Sequence, residues 1–280
     1  IGKLRNSGIE VSLGYSKTSA AGISYALNGN FSYATNKILD LGGIEMAPTG
    51  TTKHVVGYPM NAYYLYQSEG LITKDEFLDP DYTLLNGQKY GDQKIVDRNK
   101  DGVLNADDKM MIDKSSTPKW YYGLNFDVSY HNFGIGGMVQ GAAGGWLYLG
   151  ASTGYGFSSG YGITDWTIKN AYDPINGEGN YNTRLPRVSV SNSINSSYPS
   201  NTYLFNSSYL RLKNLRVYYS LPASFTKKLS MQSARIYVSG QNLYTWSKLP
   251  RDLGIDPEIS SPTAGYPLLK IYSFGLDVTF

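Results

Sequence analysis

Tyr272-Ser273-Phe274-Gly275-Leu276-Asp277-Val278-Thr279-Phe280 alternates without a break: Tyr272, Phe274, Leu276, Val278 and Phe280 are apolar, and Ser273, Gly275, Asp277 and Thr279 between them are not. Successive side chains of a β-strand point to opposite faces, so this stretch predicts a strand with one apolar and one polar side. Soluble proteins rarely finish on an aromatic strand that nothing follows. A strand set between lipid and an aqueous lumen needs this pattern.

The same alternation recurs upstream. Ile9, Val11, Leu13 and Tyr15 form one apolar set, and Ile23, Tyr25, Leu27, Gly29, Phe31 and Tyr33 a second. Tyr122, Leu124, Phe126, Val128 and Tyr130 alternate with polar residues, and Phe133, Ile135, Gly137 and Val139 follow after a minimal turn, which predicts a hairpin. Leu215, Val217, Tyr219 and Leu221, then Ile236 and Val238 running on to Tyr244 and Trp246, give two further strands whose imperfect phase predicts a bulge. With the last strand the count is seven.

Composition agrees with an all-β chain. The 280 residues include 26 Tyr and 31 Gly but only 17% charged residues, a profile rich in strand and turn formers. The absence of Cys removes disulfides, thiolate metal sites and Cys nucleophiles together. A net charge of +3 with scattered Lys and Arg gives no footprint for nucleic acid. No run of about 18 apolar residues is present, so no membrane helix is expected. The mean hydropathy of −0.32 looks soluble, but inward polar residues cancel outward apolar ones in a barrel. Ile1 is not an initiator Met, and Ile1-Gly2-Lys3-Leu4-Arg5 carries no signal-peptide core, so the chain is expected to continue a longer protein.

The connections are lopsided. Short links fall near residues 17–21, 131–133 and 222–232, whereas the others span about 36–119, 149–207 and 247–269. Short and long strictly alternate, as the tight periplasmic turns and long extracellular loops of transmembrane barrels do, which puts the carboxy terminus on the periplasmic side. Seven antiparallel strands enter from outside and end inside, yet single-chain bacterial barrels have even strand numbers. Bare edges in lipid would leave backbone groups unpaired at several kcal/mol each, so these strands are expected to join others in a larger barrel. A soluble β-sandwich or β-helix with long insertions is the competing architecture, and the strand lengths and loop asymmetry argue against it.

Asp97-Arg98-Asn99-Lys100-Asp101-Gly102-Val103-Leu104-Asn105-Ala106-Asp107-Asp108 matches the EF-hand loop pattern. Asp97, Asn99 and Asp101 stand at the first three ligand positions, Gly102 at the turn, the Val103 carbonyl next, then Asn105 and Asp108. Alternate oxygen ligands followed by Gly let a short loop wrap a hard cation, Ca2+ or Mg2+. The shorter Asp108 stands where Glu usually supplies two oxygens, and an Asx-rich turn without metal is the plainer alternative. Gly156-Phe157-Ser158-Ser159-Gly160 fits the hydrolase elbow pattern but lacks a flanking strand and helix. His54 and His131 are the only histidines, far apart in sequence, and no carboxylate pair can be assigned, so no enzyme is predicted. Tyr15, Tyr33, Tyr122, Tyr130, Trp146, Tyr148, Tyr219, Trp246 and Tyr272 lie towards strand ends and suit membrane-interface girdles. Trp166, Tyr155 and Tyr161 are candidates for stacking on a sugar or peptide.

Several stretches together resemble the SusC/RagA family of TonB-dependent outer-membrane transporters. They are Asn6-Ser7-Gly8-Ile9-Glu10-Val11, Gly57-Tyr58-Pro59 with Glu69-Gly70, the 97–108 loop followed by Pro118-Lys119-Trp120-Tyr121-Tyr122-Gly123, Tyr209-Leu210-Arg211-Leu212-Lys213-Asn214-Leu215, Val238-Ser239-Gly240-Gln241-Asn242-Leu243 and the closing strand. The resemblance implies the last seven strands of a barrel of about 22, with the plug domain and TonB-contacting segment outside this chain. It also implies import of oligosaccharides or peptides, a SusD-like surface lipoprotein as lid, energy relayed by TonB, and a dimer of transporter–lipoprotein pairs among the assemblies allowed. Tyr272, Phe274, Leu276, Val278 and Phe280 would then be the assembly signal read by the insertion machinery. The alternatives are a non-transporting barrel or adhesin, and a secreted calcium-binding β module.

Overall fold

A computed structural model of the chain describes residues 2–150, 154–157, 162–173, 181–188, 194–259 and 268–280. In chain order its strands are β1 (Lys3–Thr18), β2 (Ile23–Asp40), β3 (Thr52–Lys53), β4 (Ala62–Leu65), β5 (Ser68–Leu71), β6 (Gln93–Ile95) and β7 (Met110–Ile112). There follow β8 (Trp120–Tyr130), β9 (Phe133–Ala143), β10 (Trp146–Tyr148), β11 (Leu204–Asn206), β12 (Tyr209–Ser220), β13 (Ser233–Ser247) and β14 (Ile271–Thr279).

The long strands make one seven-stranded antiparallel sheet in the order β1-β2-β8-β9-β12-β13-β14, so every strand pairs with its neighbour along the wall. Pairing confirms the face assignment row by row. Tyr130, Phe133, Tyr219, Ile236 and Leu276 stand opposite one another across five strands, as do Tyr25, Val128, Ile135, Val217, Val238 and Phe274 across six. The row offset by one residue, Ser16, Ala26, Asp127, Gly136, Arg216, Ser239 and Ser273, runs along the other face and is mostly polar. A one-residue slip would mix the two sets, so the pattern itself fixes register. Strands of nine to 18 residues are long enough to cross a bilayer when tilted.

The expected bulge is real. Leu212 pairs with Val139 and Asn214 with Met138, which leaves Lys213 as an extra residue in β12. Across the other edge Leu212 and Asn214 face Tyr244 and Gln241, with Asn242 between them in the left-handed region at φ 53°. The bulge lets Leu210 and Leu212 keep the same apolar face as Leu215 and Val217. Glycines on that face make room for rings: a Cβ at Gly141 would sit 2.4 Å from the Tyr122 ring.

The buried core lies outside the wall. The first two long connections carry structure of their own, with the small sheets β3-β4-β7 and β5-β6 in one and β10-β11 in the other. Leu147, Leu149, Trp166, Leu185, Tyr203 and Phe205 from the second connection cluster with Leu249 from the third. Leu204 joins Tyr63 and Leu65 of the first. Polar clasps then lock first to second: buried Gln93 bonds Asn195, Tyr198 and Ser200, and buried Asp92 pairs with Arg187 at 2.7 Å. Trp146 and Tyr148 are therefore not interface anchors but part of this loop body, where the Tyr63 hydroxyl donates to the Trp146 carbonyl at 2.8 Å. Burial raises the Tyr63 phenol to about 12.

Candidate lumen and loop site

The polar face of the sheet carries amides, hydroxyls and a few charges, with the loop body seated at the rim that bears the long connections. Near the opposite rim, the Tyr218 hydroxyl donates to Asp127 at 2.9 Å, and the Arg235 guanidinium lies 4.4 Å from the Tyr218 ring centre. Gly134 is required beneath that ring, since a Cβ there would come within 2.1 Å of it.

At the long-loop rim one charged residue organises the face. Arg211 on β12 is fully buried, and its guanidinium bonds Thr245 Oγ1 at 2.9 Å and Asp256 at 2.7 Å, with Glu258 at 3.0 Å. Glu258 also accepts from Gln140 Nε2 at 3.1 Å and from the Tyr209 hydroxyl. Asp256 and Glu258 belong to the connection after β13, so this fork pins that loop down onto the polar face. The sequence reading missed the cluster. Its one signal was a charge between two leucines, Leu210-Arg211-Leu212, on the polar face of an alternating strand.

The 97–108 loop is held by its own backbone. Asp97 accepts from the N–H groups of Lys100 at 2.7 Å and Gly102 at 2.8 Å, and Asp101 accepts from that of Val103 at 2.8 Å. Asn99 Oδ1 takes the Asp101 N–H, and Asn105 Oδ1 takes that of Asp107. Asp108, fully buried, accepts from the N–H groups of Arg98 at 2.8 Å and Asn105 at 2.9 Å. Among the described residues no three His, Asp or Glu side chains gather as a metal cage. A cation there would draw on Asp97, Asn99, Asp101, the Val103 carbonyl, Asn105 and Asp108, and would need the carboxylates to turn from the backbone towards one point.

Burial pushes the Asp108 carboxyl up, but the backbone N–H groups of Asn105, Arg98 and Asn99 outweigh it and hold the group below its ordinary 3.8. A depressed carboxylate contributes stability above its unfolded pKa and loses it as pH falls through the folded one. Asp108→Ala is expected to cost about 1–3 kcal/mol by leaving buried donors unpaired. Faster amide exchange over residues 97–109, matched by wild type only in strong acid, would show it. The same measurement with added Ca2+ tests the cation: protection that rises in wild type and not in Asp97→Ala/Asp101→Ala supports it, and no calcium effect removes it.

Other sequence candidates fall apart in space or lie elsewhere. His54 bonds Asn61 at 2.9 Å, and His131 occupies a left-handed turn position at φ 52° between β8 and β9. Ser158, Ser159 and Gly160 of the elbow-like pattern, and Tyr161, lie outside the described residues. Trp166 is buried against Phe205, and Tyr155 bonds the Tyr148 hydroxyl, so both serve the loop core rather than an open stacking surface. On β14, Tyr272, Phe274, Leu276 and the final Phe280 are exposed on one side, with Val278 half-buried on the same face.

Comparison with known proteins gives a consistent result. No family model matches. Two TonB-dependent receptors of Formosa agariphila are 28% and 26% identical over the whole chain, and the TonB-dependent receptor SusC of Bacteroides thetaiotaomicron is 26% identical. The chain spans 29%, 29% and 27% of their lengths. Among solved structures, the RagAB peptide importer in its open-open state superposes at TM-score 0.74 with 26% identity, covering all of this chain and 29% of that one. The RagAB peptide transporter superposes at 0.73 with 24% identity. These relatives carry receptor and transporter names. Along its whole length, as the motifs in its sequence imply, the chain is similar to SusC and to the RagAB importer.

Proposed function

We propose that this chain is wall and loop body of an outer-membrane TonB-dependent importer, the last strands of a closed barrel of about 22. The observation that supports it most is the two-faced sheet: apolar rows cross the strands on one side and polar rows on the other, with the loops seated at one rim. Lipid would meet the apolar face, and the polar face would line the lumen. The apolar face of β14 would serve as the assembly signal. The loop body would form part of a vestibule for an oligosaccharide or peptide and meet a SusD-like lipoprotein lid. TonB would act through a plug outside this chain.

Cell fractionation and uptake test the reading together. The protein carrying this chain should sediment with outer membrane, shift in mobility on heating as intact barrels do, and co-purify with a surface lipoprotein. Uptake of labelled peptide or oligosaccharide should collapse when the proton gradient is discharged. A folded, monodisperse protein in buffer without detergent would end the proposal.

A further inference from the structure

The connection between β12 and β13 departs from the tight turns at the same rim. Residues Ala223–Thr226 form a helical turn continued by Lys227–Leu229, closed by Ser230 in the left-handed region at φ 56°. The helical turn packs against β13. Ala234 belongs to the apolar face, two residues before the exposed Ile236, yet is only 3% exposed, and Thr226 in the turn is buried too. The turn therefore folds over the outer side of the wall, not beneath the polar one.

This folded-over turn leaves its own apolar residues uncovered. Phe225 and Leu229 are 52% and 53% exposed, and Lys227 and Lys228 between them in sequence are exposed too. Next to it the outer face has a groove of about 170 Å³ lined by Phe133, Val217, Tyr219, Ile236, Val238 and Phe274. Phe133 begins β9, Tyr219 is one residue from the end of β12, and Ile236 is three from the start of β13. At about 3.3 Å per residue the groove begins at the rim with Phe133 and Tyr219 and reaches roughly 10–17 Å along the strands at Val217, Ile236 and Val238. A leaflet's hydrocarbon half is about 15 Å deep, so lysines and groove fit one lipid molecule.

We infer that this rim is a binding site for a phospholipid of the periplasmic leaflet, with its phosphate on Lys227 and Lys228 and an acyl chain in the groove. Charge complementarity selects the occupant: two lysines at the water boundary favour an anionic headgroup, and the exposed lining of the groove is almost wholly apolar, as an acyl chain requires. Phe225 and Leu229 would enter the interface beside it, as apolar residues of surface helices do. The site rests on the outer-membrane reading proposed above.

Native mass spectrometry of the detergent-purified protein, titrated with phosphatidylglycerol, tests it. Wild type should retain lipid, and Lys227→Glu/Lys228→Glu should weaken retention by roughly 30-fold, given about fivefold per lysine near an anionic surface. Val217→Trp should block the groove and reduce retention with the lysines intact. Both variants should still reach the outer membrane and show the heat shift, which reports the parent reading separately. A wild type absent from that membrane would overturn both. A photo-crosslinker at position 228 should capture phospholipid; capture of a protein segment, or equal retention in both variants, would overturn the site alone.

Discussion

Arg211→Met is expected to free the loop after β13 from the wall and to cost about 3–5 kcal/mol. The guanidinium is fully buried and faces two carboxylates, Asp256 and Glu258, of which the first is itself only 16% exposed. Removing the cation leaves Asp256 and Glu258 close together without a counter-charge, which is the costly half of breaking a buried pair. Arg211→Lys keeps the charge but cannot fork to Thr245, Asp256 and Glu258 at once, so it should recover only part of the loss. Neutralising both partners in Arg211→Met/Asp256→Asn/Glu258→Gln should restore much of it, because the burden is the unpaired carboxylates. Limited proteolysis and amide exchange over residues 248–259 read the effect. Unchanged protection in Arg211→Met would show that the apolar contacts of Leu249, Leu253 and Ile255 hold the loop without the ion pair.

Leu276→Arg is expected to cost about 2–4 kcal/mol and to impair assembly, because it would put a charge into the apolar face far from either interface. Leu276 lies four residues from Tyr272 and four from Phe280, the aromatic ends of its strand, and is 60% exposed. Ser273→Arg, on the opposite face of the same strand and in the row that already holds Arg216, should change stability by no more than about 0.5 kcal/mol. Urea unfolding of the protein refolded into bilayers measures both. Equal effects would mean that the two faces meet the same solvent, and the membrane placement would fall with that result.

Much of the wall was legible because its signal is local and periodic. Each strand declares its faces through alternation, so the seven strands, the 131–133 hairpin and the β12–β13 irregularity can be read without partners. The loop body could not be read this way. Ala62-Tyr63-Tyr64-Leu65, Trp146-Leu147-Tyr148 and Leu204-Phe205-Asn206 are too short to show a period, and they find one another across long stretches of chain. The same limit explains the misplacement of Trp146 and Tyr148, whose spacing from β9 looked like a strand end. It explains the missed cluster too: Arg211 is visible, but nothing local says that Asp256 and Glu258 return to it. The Asp97–Asp108 pattern was plain, yet the same oxygens that suit a cation also suit backbone N–H groups, and spacing alone does not separate the two.

The separation between a wall with few buried side chains and a loop body that holds the hydrophobic clusters has a thermodynamic consequence. The loop body excludes water from apolar side chains, so its melting should carry a large positive heat-capacity change. The wall's apolar face would be solvated by hydrocarbon both before and after its loops melt, and would add little to that change. Calorimetry should then show two events: an early, strongly curved transition for the loops and a later one for the barrel. No single unfolding free energy would describe the protein.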